Sequence, residues 1–343
     1  MNPAMSAIPK PARQQGLSLV ELMIALVLGL LVTAAVTALT INSSQTQREL
    51  TKTSRQVENG RYAMQVLNDH VRHAGFFGRY HPQSTPPGSL PDPCRNDLDT
   101  LDADTLRGIF SLPMQAYESP DALSCISGAD HVNGTDILVV RRTNTRAIED
   151  CDGSNGSPAG NRLYLQSRPD NFILGNGNAT FDLRELAADG SSCPAPVHRY
   201  RTDIFYVAPR AAVSNLCSDI AGPDTRDVPT LVRYDVTGGQ CNEPLVEGID
   251  RILYDFGIDE NGDGVPDDYV HLPADTSQWA DVVALRINLL ARSDDPTFGH
   301  ADRKVYVMSR DGTLSVGPLD DEFRRRVFAA TVRLVNPAGR REN

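Results

Sequence analysis

The sequence predicts an α+β chain, with one long amino-terminal helix packed on an antiparallel β domain whose long loops are tied by disulfides. Three observations carry this. An apolar run from Leu17 to Leu39 has Glu21 as its only charge. A helical pattern continues beyond it without proline as far as His81. The second half is rich in short runs with period-2 alternation, bounded by Gly, Pro, Asn and Asp, which read as antiparallel strands.

The apolar run is 23 residues long, and about 20 suffice to cross the hydrocarbon core of a bilayer. Residues 40–75 form the amphipathic half of the same helix. Leu50, Val57, Met64 and Val71 recur every seven residues, joined by Leu67 and Ala74, among polar neighbours such as Arg48, Glu58 and Arg61. That is one apolar stripe on a solvated helix. Gly75 is the expected stop, giving a helix on the order of 85 Å at 1.5 Å per residue. A coiled coil is the competing reading, but Thr53 and Gly60 make a poor seam.

Residues 76–343 form the globular β-rich domain. Strands are expected over 136–141, 200–207, 230–234, 250–256, 282–290 and 327–335, arranged as one antiparallel sheet under the helix. Loops rich in Pro, Gly, Ser and Asp fill 82–104 and 150–161.

Composition excludes several classes. The formal charge is −11, which argues against nucleic-acid binding, where a basic face must meet phosphates. Six cysteines, Cys94, Cys125, Cys151, Cys193, Cys217 and Cys241, all follow the apolar segment and contain no C-x-x-C. Widely spaced and even in number, they suggest disulfides in an oxidising compartment. Six cysteines allow 15 connectivities; local pairing favours Cys217 with Cys241. No H-E-x-x-H, G-x-S-x-G or phosphate-binding glycine loop occurs, so no enzyme is expected. His70, His73 and His81 read as surface residues near the helix end rather than as metal ligands.

The acidic stretch Asp259-Glu260-Asn261-Gly262-Asp263-Gly264-Val265-Pro266-Asp267-Asp268 is the one constellation with ligand chemistry. Oxygen side chains at positions 1, 3, 5 and 9 (Asp259, Asn261, Asp263 and Asp267) with Gly264 at 6 match the start of a calcium loop. Position 12 is Val270, so the bidentate Glu is absent. The alternative is an acidic hairpin turn, which N-G and D-G dipeptides favour. Calcium is the candidate cofactor.

Residues 1–16 carry Lys10 and Arg13, no acid, and three prolines. They read as a cytoplasmic leader under the positive-inside rule, and losing them takes the formal charge to −13. A carboxylate within an apolar helix is costly and is a functional signal by default. Gly16 before the apolar run, with Glu21 fifth after it, resembles the prepilin signal of type IV pilins. The resemblance implies cleavage between Gly16 and Leu17 by a prepilin peptidase, and methylation of the new amine. It also pairs Glu21 with a neighbouring subunit's amine, which sets the assembly register. Leu17 stands where that family most often has Phe.

Further segments resemble the PilW family of minor pilins: His73 to Gly78, Val246 to Asp250, Tyr254 to Asp259, Trp279 to Arg286 and Phe323 to Val332. The resemblance implies a low-abundance pilin that primes type IV pilus assembly near the tip. Its partners would be other minor pilins, the major pilin and a PilY-type adhesin. Such a chain sits in the inner membrane by a single pass, its domain in the periplasm, before entering the pilus. Two alternatives stay open: a minor pseudopilin of type II secretion, and a signal-anchored periplasmic binding protein or enzyme.

Overall fold

A computed structural model describes residues 16, 18–82, 85–151, 156–187, 189–220 and 222–342. Among them are four α-helices: α1 (Leu19–Arg72), α2 (Ala103–Ser111), α3 (Thr276–Ala280) and α4 (Val335–Arg341). Fifteen strands are present among these residues. They begin with β1 (Met114–Tyr117), β2 (Ile137–Thr143), β3 (Leu163–Ser167), β4 (Phe172–Asn176), β5 (Arg184–Leu186), β6 (Ser192–Pro194) and β7 (Val197–Ala208). They continue as β8 (Thr230–Asp235), β9 (Cys241–Glu247), β10 (Ile249–Ile258), β11 (Asp268–Val270), β12 (Val282–Arg292), β13 (Tyr306–Val307), β14 (Ser315–Val316) and β15 (Arg325–Arg333). The chain divides into two units, one up to Thr51 and one from Lys52 onward. In the first, helical residues such as Leu26, Leu30 and Leu39 are exposed.

The second unit is built on two antiparallel sheets rather than the one expected. β7 is the hub of the larger. It pairs with β2 from Phe205↔Leu138 to Tyr200↔Thr143, with β8 from Asp203↔Asp235 to Ala208↔Thr230, and with β3 near its start. The smaller sheet runs β11-β10-β12-β15. The larger sheet is apolar on both faces, and the smaller sheet covers one of them while Leu123, Ile126 and Val213 cover the other. Leu138, Val140, Phe205 and Val207 enter the main core, while Ile137, Val139, Ile204 and Tyr206 enter a second cluster on the opposite face. A sheet apolar on both faces has to be covered on both. The main core also takes Ile252, Tyr254 and Phe256 of β10 and Leu285, Ile287 and Leu289 of β12.

The helix stripe is displaced from the expected one. Gln56, Gly60, Ala63, Leu67, His70 and Val71 are the buried residues of α1. Leu50 is 65% exposed, and Met64 lies at the margin of the core. The buried face follows small residues because these let the helix come close to the sheet. A β-carbon at Gly60 would run into the Phe328 ring of β15. Beside it, the Gln56 side-chain amide donates to the carbonyls of Ala291 (2.7 Å) and Arg324 (2.9 Å), anchoring α1 across β12 and β15.

The helix ends at Arg72 and the chain turns through Gly75, at φ +72°, a left-handed position suited to glycine. The Gly75 N–H donates to the Arg141 carbonyl. From α4, Asn336 Nδ2 donates to the Ala74 carbonyl and Arg340 Nη1 to that of Gly75, answering exposed carbonyls and the negative end of the helix dipole.

All six cysteines are paired: Cys94 with Cys125, Cys151 with Cys193, and Cys217 with Cys241. They close separations of 31, 42 and 24 residues in segments otherwise poor in regular structure. Each contributes about 2–4 kcal/mol in the usual range. Arg325, almost fully buried, ties β15 to Asp250 at 2.6 Å, Asp302 at 3.1 Å and Asp321 at 2.5 Å.

The close approach at Gly60 makes a prediction. Ordinarily Leu is the better helix former by up to about 1 kcal/mol. Here Gly60→Leu should destabilise the chain by about 1–3 kcal/mol through overpacking against Phe328. Thermal melting of the full chain in detergent reads it, and Phe328→Ala in the same chain should recover part of the loss.

Candidate functional site

The amino-terminal site begins at Gly16, which has no neighbouring atoms where a β-carbon would stand. Leu17 and leader residues 1–15, including Lys10 and Arg13, lie outside the described residues. Ser18 precedes the helix, and its backbone N–H donates to Glu21 Oε2 at 3.0 Å, while the Val20 N–H donates to Ser18 Oγ at 3.4 Å. Ser18 and Glu21 thus cap the start of α1, the carboxylate taking the Ser18 N–H and the Ser18 hydroxyl the Val20 N–H. The spacing Ser18-x-x-Glu21 is a helix-start signal in its own right.

The acidic loop between β10 and β11 places its polar side chains against its own backbone. Asp259 Oδ1 accepts from the Gly262 (2.7 Å) and Asp263 (3.2 Å) amides, and Oδ2 from that of Gly264 at 2.9 Å. Asp267 accepts from the Glu260 amide and from Asn261 Nδ2, and Asp263 from the Val265 amide. Arg341 of α4 reaches in, 3.4 Å from Asp259 Oδ2. Gly264, at φ +79°, lies so close to the Ala338 carbonyl that a β-carbon would collide with it.

Asp259, Asp263 and Asp267 do not bring three ligand atoms within 4.8 Å of one another. Among the described residues only Cys151, Glu185 and Cys193 do so, and those two sulfurs are joined in a disulfide. Here the side chains of Asp259, Asn261, Asp263 and Asp267 turn to backbone amides of their own loop, and Arg341 adds a positive charge beside Asp259. Burial pushes the Asp259 carboxyl up, but the amides of Gly264 and Gly262 and the charge of Arg341 outweigh it and hold it below its usual range.

The helix end holds a charged cluster that sequence reasoning missed. His70, expected at the surface, is buried, with its ring edge-on to Phe205 at 4.8 Å. Its Nδ1 lies 3.4 Å from Asp203 Oδ2. Asp203 is fully buried on β7 and also meets Arg201 at 2.9 Å and Arg233 at 4.0 Å. Burial favours the neutral acid, yet the His70 contact and the Arg201 charge prevail and hold Asp203 low. Burial likewise lowers His70, against the pull of Asp203. His73 and His81 stay near the surface as expected. A three- or four-residue spacing cannot show a histidine facing a sheet; the partner comes from over 130 residues away.

A helix that starts with an apolar stretch long enough to cross a membrane, followed by a disulfide-linked antiparallel domain, is consistent with an α+β, pilin-like fold. Two family models then narrow the class. Residues 11–37 match the prokaryotic N-terminal methylation motif, and residues 205–336 match the type IV pilus-assembly protein W family, PilW. The chain is thus similar to prepilin-type signals at its amino terminus and to PilW through much of its second half. No curated protein matches this chain, and no solved structure does.

The held-down carboxyls fix a pH dependence. An Asp whose folded value is lowered stabilises the fold above its unfolded value near 3.9 and loses that contribution as pH falls. Acid should therefore destabilise the chain through Asp203 and Asp259. Asp259→Ala leaves three amide donors and Arg341 without their acceptor. At pH 7 it should cost about 1–3 kcal/mol, and its deficit relative to the parent should shrink below pH 4. Melting curves from pH 3 to 7 check both.

Proposed function

We propose that this chain is a minor pilin that takes part in priming type IV pilus assembly near the tip, with other minor pilins and a PilY-type adhesin. The observation that carries the reading is the joining, in one chain, of a methylation-type signal ending at Gly16 with a PilW-type domain. In this reading residues 1–16 are removed by a prepilin peptidase. Residues 17–39 hold the chain in the inner membrane and then in the filament core. The domain beyond residue 75 stays in the periplasm until incorporation.

Glu21 is the proposed assembly residue. Its charge lies within an apolar stretch, where opposite charges attract strongly and are costly to leave apart. The methylated amine of a neighbouring subunit's Leu17 would take the place of the Ser18 N–H, so the carboxylate exchanges a local cap for an intersubunit pair. Each subunit would then enter at one register.

The first test is the mature terminus. Mass spectrometry of the protein from membranes or sheared pili should find the chain beginning at methylated Leu17. Gly16→Ala should slow or block cleavage. Met1 retained on membrane protein would instead fit a signal-anchored protein and would sink the pilin reading.

The second test is Glu21→Val. Membrane insertion should persist, because a cost of up to about 2.5–3.5 kcal/mol is removed from the helix. Incorporation with partner pilins should nonetheless fall, read as pilus number and as recovery of the chain in sheared filaments at matched expression. Parent-level piliation would remove Glu21 from the mechanism.

A further inference from the structure

A buried carboxyl and an imidazole face each other where the two main sheets meet. Asp136 stands immediately before β2 and is 2% exposed. Its backbone N–H donates to the Ile252 carbonyl, and its Oδ2 accepts from the Tyr254 N–H at 2.9 Å. It is therefore stitched directly to β10. His271 follows β11, and its Nδ1 lies 2.9 Å from the Tyr254 carbonyl. A carbonyl only accepts, so Nδ1 carries a hydrogen.

The other ring nitrogen decides the chemistry. Nε2 is 3.6 Å from Asp136 Oδ1 and 3.3 Å from Glu118 Oε1, just beyond β1. Ionised carboxylates also only accept. A neutral ring with its hydrogen on Nδ1 would turn a lone pair toward both acids with nothing between. The junction is complete only when one more proton is present, either on Nε2 or on Asp136. We propose that Asp136 and His271 form a one-proton latch between the two sheets, closed while the proton is held and loosened when it leaves.

The groups facing Asp136 are His271 and Glu118 across the gap and, from β10, the Tyr254 phenol and Asp255. Burial pushes the Asp136 carboxyl up to about 7; His271 and the Tyr254 amide oppose this, and the charges of Glu118 and Asp255 add to it. A carboxyl raised in the folded state contributes stability that is full below its unfolded value near 3.9 and is lost as pH rises toward 7. This is opposite in sign to Asp203 and Asp259. Glu118 is mostly exposed and screened, so the buried acid governs the latch. The latch joins residues 118–136, outside the PilW match, to β10 and His271 within it. It concerns the folded domain and does not depend on how the amino terminus is processed.

The test is amide hydrogen exchange of residues 250–258 in the full-length chain in detergent, from pH 5 to 8.5 and corrected for intrinsic rates. In the parent, protection of the Tyr254 amide should fall by up to about tenfold per pH unit as pH rises from 5 toward 7 and level off above that, while strands away from the junction keep theirs. Asp136→Asn keeps an acceptor for the Tyr254 amide and offers Nε2 a hydrogen at every pH, so its protection should stay flat. His271→Gln removes the imidazole that opposes the rise of the Asp136 carboxyl, so it should move the fall in protection to higher pH, and it serves if the first variant fails to fold. A parent flat to pH 8.5, a variant with the parent's profile, or a loss shared by all strands would overturn the latch.

Discussion

Burial of one face of α1 between the two sheets is the constraint on which the rest of the domain depends. Ala63, Leu67 and Val71 lie in the same apolar core as Leu138, Phe205 and Leu231 of one sheet and Ile252, Leu285 and Leu289 of the other. Neither sheet could bury its inner face against water, and the helix supplies the surface that both cover. Small side chains on that face set how close the sheets come. Gly60 is the clearest case: without a β-carbon it admits the Phe328 ring, which brings β15 against the helix. Gln56 then satisfies carbonyls at the edge of the smaller sheet, so a polar residue completes what an apolar one would leave unpaired.

Part of this was legible in the sequence. The long strands β2, β7, β8, β10, β12 and β15 each overlap an expected run, because β-branched and aromatic residues cluster there between turn formers. The short strands β3 to β6 and β13 to β14 were missed, since two to five residues give alternation no room to show. The second sheet was missed for a different reason: β2 and β10 meet through tertiary packing in the shared core, and alternation within a run does not say which sheet a strand joins. The expected stripe held at Leu67, Val71 and Ala74 but failed at Leu50, because it counted large side chains and passed over Gly60 and Ala63 on the buried face. Glu21 was visible as a charge, but its local role with Ser18 was overlooked. The pairing of His70 with Asp203 and of Asp136 with His271 depends on tertiary contact, which no local spacing encodes.

Along α1 the same backbone serves two solvents. Residues up to about Leu39 carry exposed apolar side chains, suited to lipid or to other helices. From Gln56 onward burial is confined to one face. The change occurs without a proline or a break, and Thr33, Thr37, Thr40, Thr46 and Thr51 each donate a hydroxyl hydrogen to a carbonyl of the preceding turn. Those contacts keep polar side chains satisfied within the helix itself, so a threonine-containing segment can sit in an apolar setting without an unpaired hydroxyl.

Charge is used in two opposed ways in the domain. Arg325 with Asp250, Asp302 and Asp321, and Asp203 with Arg201, place opposite charges within contact of each other. Such arrangements are costly to break because a lone charge would remain buried. They resist deprotonation or protonation near neutrality and act as fixed ties. Asp136 differs because its nearest cationic partner is a histidine, and a second acid, Glu118, faces the same ring nitrogen. The balance there turns on one proton rather than on permanent charges. Arginine ties hold β15 and the helix end in place at every physiological pH, so any proton-dependent yielding is confined to the seam between β2 and β10. The fold thereby separates the contacts that must persist from the one that can respond.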